Sequence, residues 1–217
     1  MLKSIILSCS LGLGLGVLAS APSTAEACMN AIELEGNSAV QRIAKAEKEL
    51  EQGKLNKARR TLATHRYSFS DKGHRRRAML VLSAVEFRSA GASTTNYSVT
   101  RYISELERAV KADKDNPLLQ SRLAEGYALD RKTHDKARLI LNDLDTRDLM
   151  PDAFGFRNLA LLRAADKDMK SAKVALASCR TLTKRKDVCT LKALDSETLK
   201  KQPPTTRSRS ASVKSRK

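Results

Sequence analysis

The sequence predicts an all-α protein built as a stack of helical hairpins, and three observations carry that expectation. Aromatic residues are 4% of the 217 and tryptophan is absent, so the core must be assembled from small aliphatics, chiefly the recurrent Leu and Ala. That composition suits helix packed on helix better than strands, which favour Val, Ile and aromatic residues. Glycine and proline number only nine and five, and Gly12, Gly14 and Gly16 fall in the first sixteen positions, which leaves little β-type punctuation elsewhere. Beyond that region apolar residues recur three and four apart, the spacing of one helix face. The length fits one domain, or one and a half.

The first element is an export signal. Lys3 supplies a short positive region, Ile5 to Ala19 is uncharged and apolar, and Pro22, Ser23 and Thr24 interrupt it. Ala25-Glu26-Ala27 then places small residues at the two positions a signal peptidase inspects, so cleavage is expected between Ala27 and Cys28, with residues 1–27 removed. Ala19-Ser20-Ala21 is disfavoured as the site because Pro22 would follow the cut. The apolar run is shorter than the ~20 residues that span a bilayer, and its glycines dilute it further. Cys28 as the first mature residue raises lipid anchoring. Ala25 and Glu26 stand where a lipidation signal favours apolar residues, Leu above all at the first of them, so a free or disulfide-bonded Cys28 is preferred. The expected location is the periplasm or the medium.

Export changes the meaning of the cysteines. Cys9 leaves with the signal, and an oxidising compartment invites two of Cys28, Cys179 and Cys189 to pair. Cys179 ends one expected helix and Cys189 lies near the start of the next, with Thr181 to Lys186 as the turn between them, so this pair is the expected disulfide.

The hairpins follow in order. Ala39, Ile43, Ala46 and Leu50 form a first stripe, Gln52-Gly53-Lys54 a turn, and Leu55, Ala58 and Leu62 a second stripe. After a basic stretch from His65 to Arg77, a helix from Ala78 to Arg88 is apolar nearly all round and is expected at the centre. A loop at 90–96 leads to Val99, Tyr102, Ile103, Leu106, Ala109 and Val110. Leu123, Ala124, Tyr127 and Ala128 line the next helix, and Ala137, Ile140, Leu141 and Leu144 line its partner. Phe156, Leu159, Ala160 and Arg163 precede Met169, Ala172, Leu176 and Cys179. A helix over Lys186 to Lys201, with Val188, Leu191 and Leu194 on one side, would cap the stack, completing a domain of residues 28–201. The tail, residues 202–217, holds no long apolar side chain except Val213 and is expected to be disordered.

These positions resemble the tetratricopeptide repeat. Leu123-Ala124 with Tyr127 matches its first helix, as does Leu159-Ala160 with Arg163 in place of Tyr. Ala58 with Leu62, Ala137 with Leu141 and Ala172 with Leu176 match its second. Tyr102, Ala137 and Ala172 are each 35 residues apart, and Ala109 to Pro117 is similar to the link between repeats. The resemblance spans roughly Asn37 to Thr181 and implies a right-handed superhelix of about four hairpins, each burying its apolar face on its neighbour. It further implies a concave surface, made by the first helices, that takes a protein or peptide. Arg88, Ser121, Glu125 and Arg157 occupy positions such repeats turn toward ligands.

Charge points to a second class of partner. The formal balance is +17, and losing Lys3 and Glu26 with the signal leaves it unchanged. Lys200, Lys201, Arg207, Arg209, Lys214, Arg216 and Lys217 supply seven of these charges, so +17 less seven leaves the body at +10, densest at Arg75, Arg76 and Arg77. Such a field attracts an anionic membrane or glycan surface. Nucleic acid is disfavoured, since stacking aromatics are scarce and no recognised module occurs. His65, His74 and His134 lack metal-ligand spacing, and neither a Gly-rich phosphate loop nor a nucleophile elbow is found, so no catalytic site, metal or cofactor is expected. His134 is expected as a surface turn residue. The sequence does not set the oligomeric state.

Overall fold

The computed structural model describes residues 24–63, 69, 71–90 and 97–191, with side chains from Ser38 onward. Two compact units divide the chain, 1–39 and 40–217. Among the described residues there are eight α-helices and no strand. They are α1 (Thr24–Glu51), α2 (Leu55–Ala63), α3 (Lys72–Ala90), α4 (Tyr97–Ala112), α5 (Pro117–Tyr127), α6 (His134–Thr146), α7 (Ala153–Ala165) and α8 (Met169–Leu182). A 3-10 turn, Arg131–Thr133, precedes α6. None of these helices is long and apolar enough to cross a membrane.

Within the second unit the even-numbered helices contrast with α3 and α5. The even-numbered ones bury one stripe each: Ala58 and Leu62 in α2, Val99, Tyr102 and Leu106 in α4, Ala137, Leu141 and Leu144 in α6, Ala172, Ala175, Leu176 and Cys179 in α8. Tyr102, Ala137 and Ala172, the residues spaced by 35, all fall on these buried stripes. By contrast α3 buries every residue from Leu80 to Val85, and α5 every residue but Gln120 from Leu119 to Tyr127. The cause is their packing: α3 touches α2, α4 and α5, and α5 touches α3, α4, α6 and α7. A helix covered on several sides must be apolar or internally paired over a wide arc. Gly126 serves the closest of these approaches, because a Cβ there would stand 2.8 Å from the Phe87 ring and 2.9 Å from Ile103 Cγ1.

Local chemistry sets the helix ends. The Asn116 side chain accepts from Leu119 N with Pro117 opening α5, Asp152 accepts from Gly155 N at 2.9 Å, and Asp168 accepts from Ser171 N at 3.0 Å. Left-handed residues close α1, α6 and α7: Gly53 (φ 74), Asp148 (φ 54) and Lys167 (φ 67). The next amide in each case reaches back to Glu49 O, Leu144 O or Arg163 O at 2.8–2.9 Å, satisfying a carbonyl the helix end would leave open.

A polar bolt recurs wherever an even helix meets the following odd one. Arg59 of α2 pairs with Glu86 of α3 at 2.9 Å, Tyr127 of α5 donates to Glu107 of α4 at 2.6 Å, and Arg163 of α7 reaches Asp145 of α6 at 2.8 Å. Arg163, standing where the repeat pattern has Tyr, makes the same backward connection as Tyr127. Burial, together with the Glu107 hydrogen bond, pushes the Tyr127 phenol up to about 12.

Two boundaries and one side-chain exposure differ from what the sequence predicts. Helix α3 begins at Lys72, so Arg75–Arg77 lie on its first turns, capped by the Asp71 carboxylate accepting from His74 N at 2.8 Å. Helix α1 runs back to Thr24, where Ala25, Glu26, Ala27 and Met29 favour helix and Gly36-Asn37-Ser38 does not end it. Met169, expected on the buried stripe of α8, opens that helix and is 45% exposed.

The cap also takes another form. In place of the start of a helix at Lys186, the described residues make a turn over 186–188, closed by Val188 N donating to Arg185 O, and bury Val188 and Cys189. The rest of the expected cap, including Leu194, lies outside the described residues, as does the tail. Cys179 and Cys189 are disulfide-bonded, with Cα atoms 5.8 Å apart. That closure bends the chain back onto the end of α8 and leaves the intervening residues as a loop. Arg185 within the loop donates to Glu51 O at 3.4 Å and its guanidinium occupies the space a Cβ on Gly53 would need, so the loop meets the α1–α2 turn. Reducing the disulfide, or replacing both cysteines by Ser, is expected to cost about 2–3 kcal/mol for a loop this short. Urea unfolding with and without reductant measures it, and coincident curves would contradict the assignment.

Candidate functional site

The first-helix residues named from the sequence converge, but on one another. Arg88 of α3 donates through Nε to Glu125 Oε1 of α5 at 2.8 Å, and Arg122, one turn before Glu125, donates to its other oxygen. Asp152, the cap of α7, stands 3.3 Å from Arg122 and 3.7 Å from Arg88. Arg88, Arg122 and Glu125 are 8, 6 and 7% exposed and Asp152 28%. The cluster therefore pins α3, α5 and the start of α7 together. Ser121, 3% exposed, sits against Gly155 of α7.

The electrostatics close on themselves. Burial alone would push the Glu125 carboxyl up, but the Arg88 and Arg122 guanidiniums, with their hydrogen bonds, outweigh it and hold the group below the usual carboxylate range. Burial likewise opposes the charge on Arg122, and Glu125 with Asp152 more than restores it. Burial prevails at Arg88 and lowers its pKa, yet a guanidinium starts high enough to remain charged. Arg88 also lies flat against Phe154, its Cζ 3.3 Å from the ring centroid.

Ser121 and Glu125, expected to face a ligand, are buried here, and the Arg88 side chain is 8% exposed, because α3 and α5 approach closely enough for Arg88 and Glu125 to pair. Arg157 differs. It is half-buried on α7, with Cζ 5.9 Å from the Phe154 centroid, and its guanidinium makes no hydrogen bond or ion pair among the described residues. Burial lowers its pKa, while Glu125 and Asp187 act through space in the opposite direction. With two carboxylates and two guanidiniums balanced beside it, Arg157 is the surplus cation.

The basic patch is also partly spoken for. Arg75 donates to Phe69 O at 2.9 Å, Arg76 pairs with Asp113 at 2.7 Å, and Arg77 clamps both oxygens of Glu47 at 3.1 and 2.7 Å. These pairs are largely exposed, so each contributes at most about 1 kcal/mol and can be exchanged for another anion. Arg207, Arg209, Lys214, Arg216 and Lys217 lie outside the described residues. The Ala27–Cys28 junction falls in the first turn of α1. His134 is half-buried, its ring 3.2 Å from Ala128 O at the start of α6. Among the described residues no group of His, Cys, Asp or Glu converges as a metal site.

Arg122, Asp152 and Phe154 escaped the sequence reading. Asp152 carried the one available signal, an acidic residue in capping position after Pro151, but nothing local shows that it faces two arginines. No protein-family model, curated protein or solved structure matches this chain.

Proposed function

We propose that the chain is an exported, non-catalytic scaffold of the cell envelope, a tetratricopeptide-like superhelix that takes a protein segment on the face of α3, α5 and α7. The contrast between the widely buried α3 and α5 and the one-sided even helices, the 35-residue spacing and the recurring bolts support the repeat reading. The disulfide is compatible with an oxidising compartment. The observation that carries the binding reading is Arg157, a guanidinium backed by an aromatic ring and lacking a carboxylate in contact, beside neighbours that are all paired. Such a group favours a carboxylate side chain on the partner, because a charge-assisted bond there displaces no internal one.

The second reading, a polyanion or membrane-surface binder working through the tail and Arg75–Arg77, has weaker support in the body of the protein, where those arginines already hold Asp113, Glu47 and Phe69 O. Affinity capture from envelope extract separates the two. The full mature chain, Arg157→Glu and a form lacking residues 202–217 are compared at low and high salt. A partner held by the first-helix face stays with the tail-deleted form and at high salt and is lost with Arg157→Glu. Capture abolished by tail deletion or by salt, and unchanged by Arg157→Glu, transfers the function to the tail.

A further inference from the structure

The loop after α8 reaches a helix end that lies far from it in the chain. Three of the last carbonyls of α1 are met by the turn itself: Lys48 O accepts from Gln52 N at 3.1 Å, Leu50 O from Gly53 N at 2.9 Å and Glu49 O from Lys54 N at 2.8 Å. Glu51 O comes last, and it accepts from Arg185 Nη1 at 3.4 Å, 134 positions away. A cation is favoured there, because the carboxyl end of a helix carries the negative end of its dipole and its carbonyls stand open. Gly53, left-handed at φ 74, leaves the room: a Cβ on it would meet Arg185 Cζ at 2.7 Å.

The loop is built to present this one side chain. Lys184 and Lys186 on either side are exposed, whereas Arg185 is half-buried. Asp187 takes two of its nitrogens, Nε to Oδ1 at 3.3 Å and Nη2 to Oδ2 at 2.5 Å. That fork orients the guanidinium and leaves Nη1 for Glu51. The backbone is fixed as well, since Arg185 N donates to Thr183 Oγ1 at 3.1 Å and Val188 N to Arg185 O at 3.3 Å. Both roots of the loop are held by the bond between Cys179 and Cys189, each of them buried.

We propose that this disulfide-tied loop is a clasp, fastening the end of α8 to the α1–α2 turn through Arg185. The crosslink supplies what the contact needs. A single partly exposed guanidinium gains too little on one carbonyl to order a free chain, and the tie removes most of that entropy beforehand. The disulfide therefore steadies a helix end remote from both of its cysteines.

Amide hydrogen exchange of the full mature chain, read residue by residue by NMR, tests the clasp. The reporters are Gly53 N and Lys54 N. The controls are Asp148 N and Leu149 N, which close α6 in the same way by donating to Asp145 O and Leu144 O. Arg185→Ala, which keeps the disulfide, is expected to speed exchange at the reporters by about fivefold, the equivalent of a cation lost from a helix end, and at the controls by under about twofold. Cys179→Ser/Cys189→Ser should speed the reporters to a similar extent. Adding Arg185→Ala to that double variant should then change them by under about twofold, because the contact is already lost. Unchanged reporters in Arg185→Ala, or equal acceleration of reporters and controls, overturns the clasp. Effects of Arg185→Ala and the cysteine pair that multiply in full, or loss of protection at all four amides in the cysteine variant, overturns the part given to the disulfide. No partner enters the measurement, so its outcome is independent of the first-helix reading.

Discussion

Glu125→Gln is expected to destabilise the second unit by about 3–5 kcal/mol, as when one member of a buried ionic cluster is removed and its partners remain. Gln keeps the volume and one acceptor oxygen, so the loss isolates the charge. Arg88 and Arg122, 8 and 6% exposed, would then face each other with only Asp152 to compensate. Exchanging Arg88, Arg122 and Glu125 together for apolar residues of similar size is expected to be neutral or stabilising, because the same desolvation is then relieved for all three. Urea unfolding of the single and triple variants measures both. A loss below about 1 kcal/mol for Glu125→Gln would mean that the cluster is hydrated.

The same group predicts a pH response. The folded pKa of Glu125 lies below its ordinary value of 4.5, so the folded state binds this proton less readily than the unfolded state. The stability it contributes is complete above pH 4.5 and is lost as the pH falls from there through the lower folded value. Glu125→Gln should lack that part of the acid slope. An unchanged slope in the variant would place the acid sensitivity on other carboxylates.

Phe87→Ala should produce the other large effect, about 3–5 kcal/mol. Its ring is 1% exposed and fills the angle between α3, α4 and α5, lying where only a residue without a Cβ, Gly126, can pass. In the wild type Gly126→Ala brings a Cβ to 2.8 Å from that ring, and strain opposes the ~1 kcal/mol helix-propensity gain of Ala over Gly. With the ring gone, the added Cβ still meets Ile103 Cγ1 at 2.9 Å but loses the ring's share of the strain, so Gly126→Ala should be less costly in Phe87→Ala than in the wild type. A double-mutant cycle by chemical denaturation reads the coupling, and additive effects would contradict the close approach.

Much of the fold was legible in the residues. Ile43, Ala46 and Leu50 on one side of Gly53, and Ala58 and Leu62 on the other, declare a hairpin because helical periodicity and a left-handed turn are local properties. Asn116-Pro117 marks the start of α5 for the same reason, and the short separation of 10 positions between Cys179 and Cys189 makes their pairing readable. The site was less so. Within their own helices Glu125 and Arg88 read as charges on a ligand-facing surface, and nothing local sets Arg122, beside Leu123 and Ala124, apart from a solvated arginine.

What the sequence determined by itself was the helical class, the hairpin order and the pairing of Cys179 with Cys189, since each depends on neighbours within a few turns. Only the tertiary structure decided which charges are inside and which remain outward. Arg88 meets Glu125 across 37 positions and Arg122 meets Asp152 across 30, so their burial follows from α5 lying between α3 and α7. A charged residue is solvated or sequestered according to the helix that packs over it, and no periodicity within its own helix encodes that.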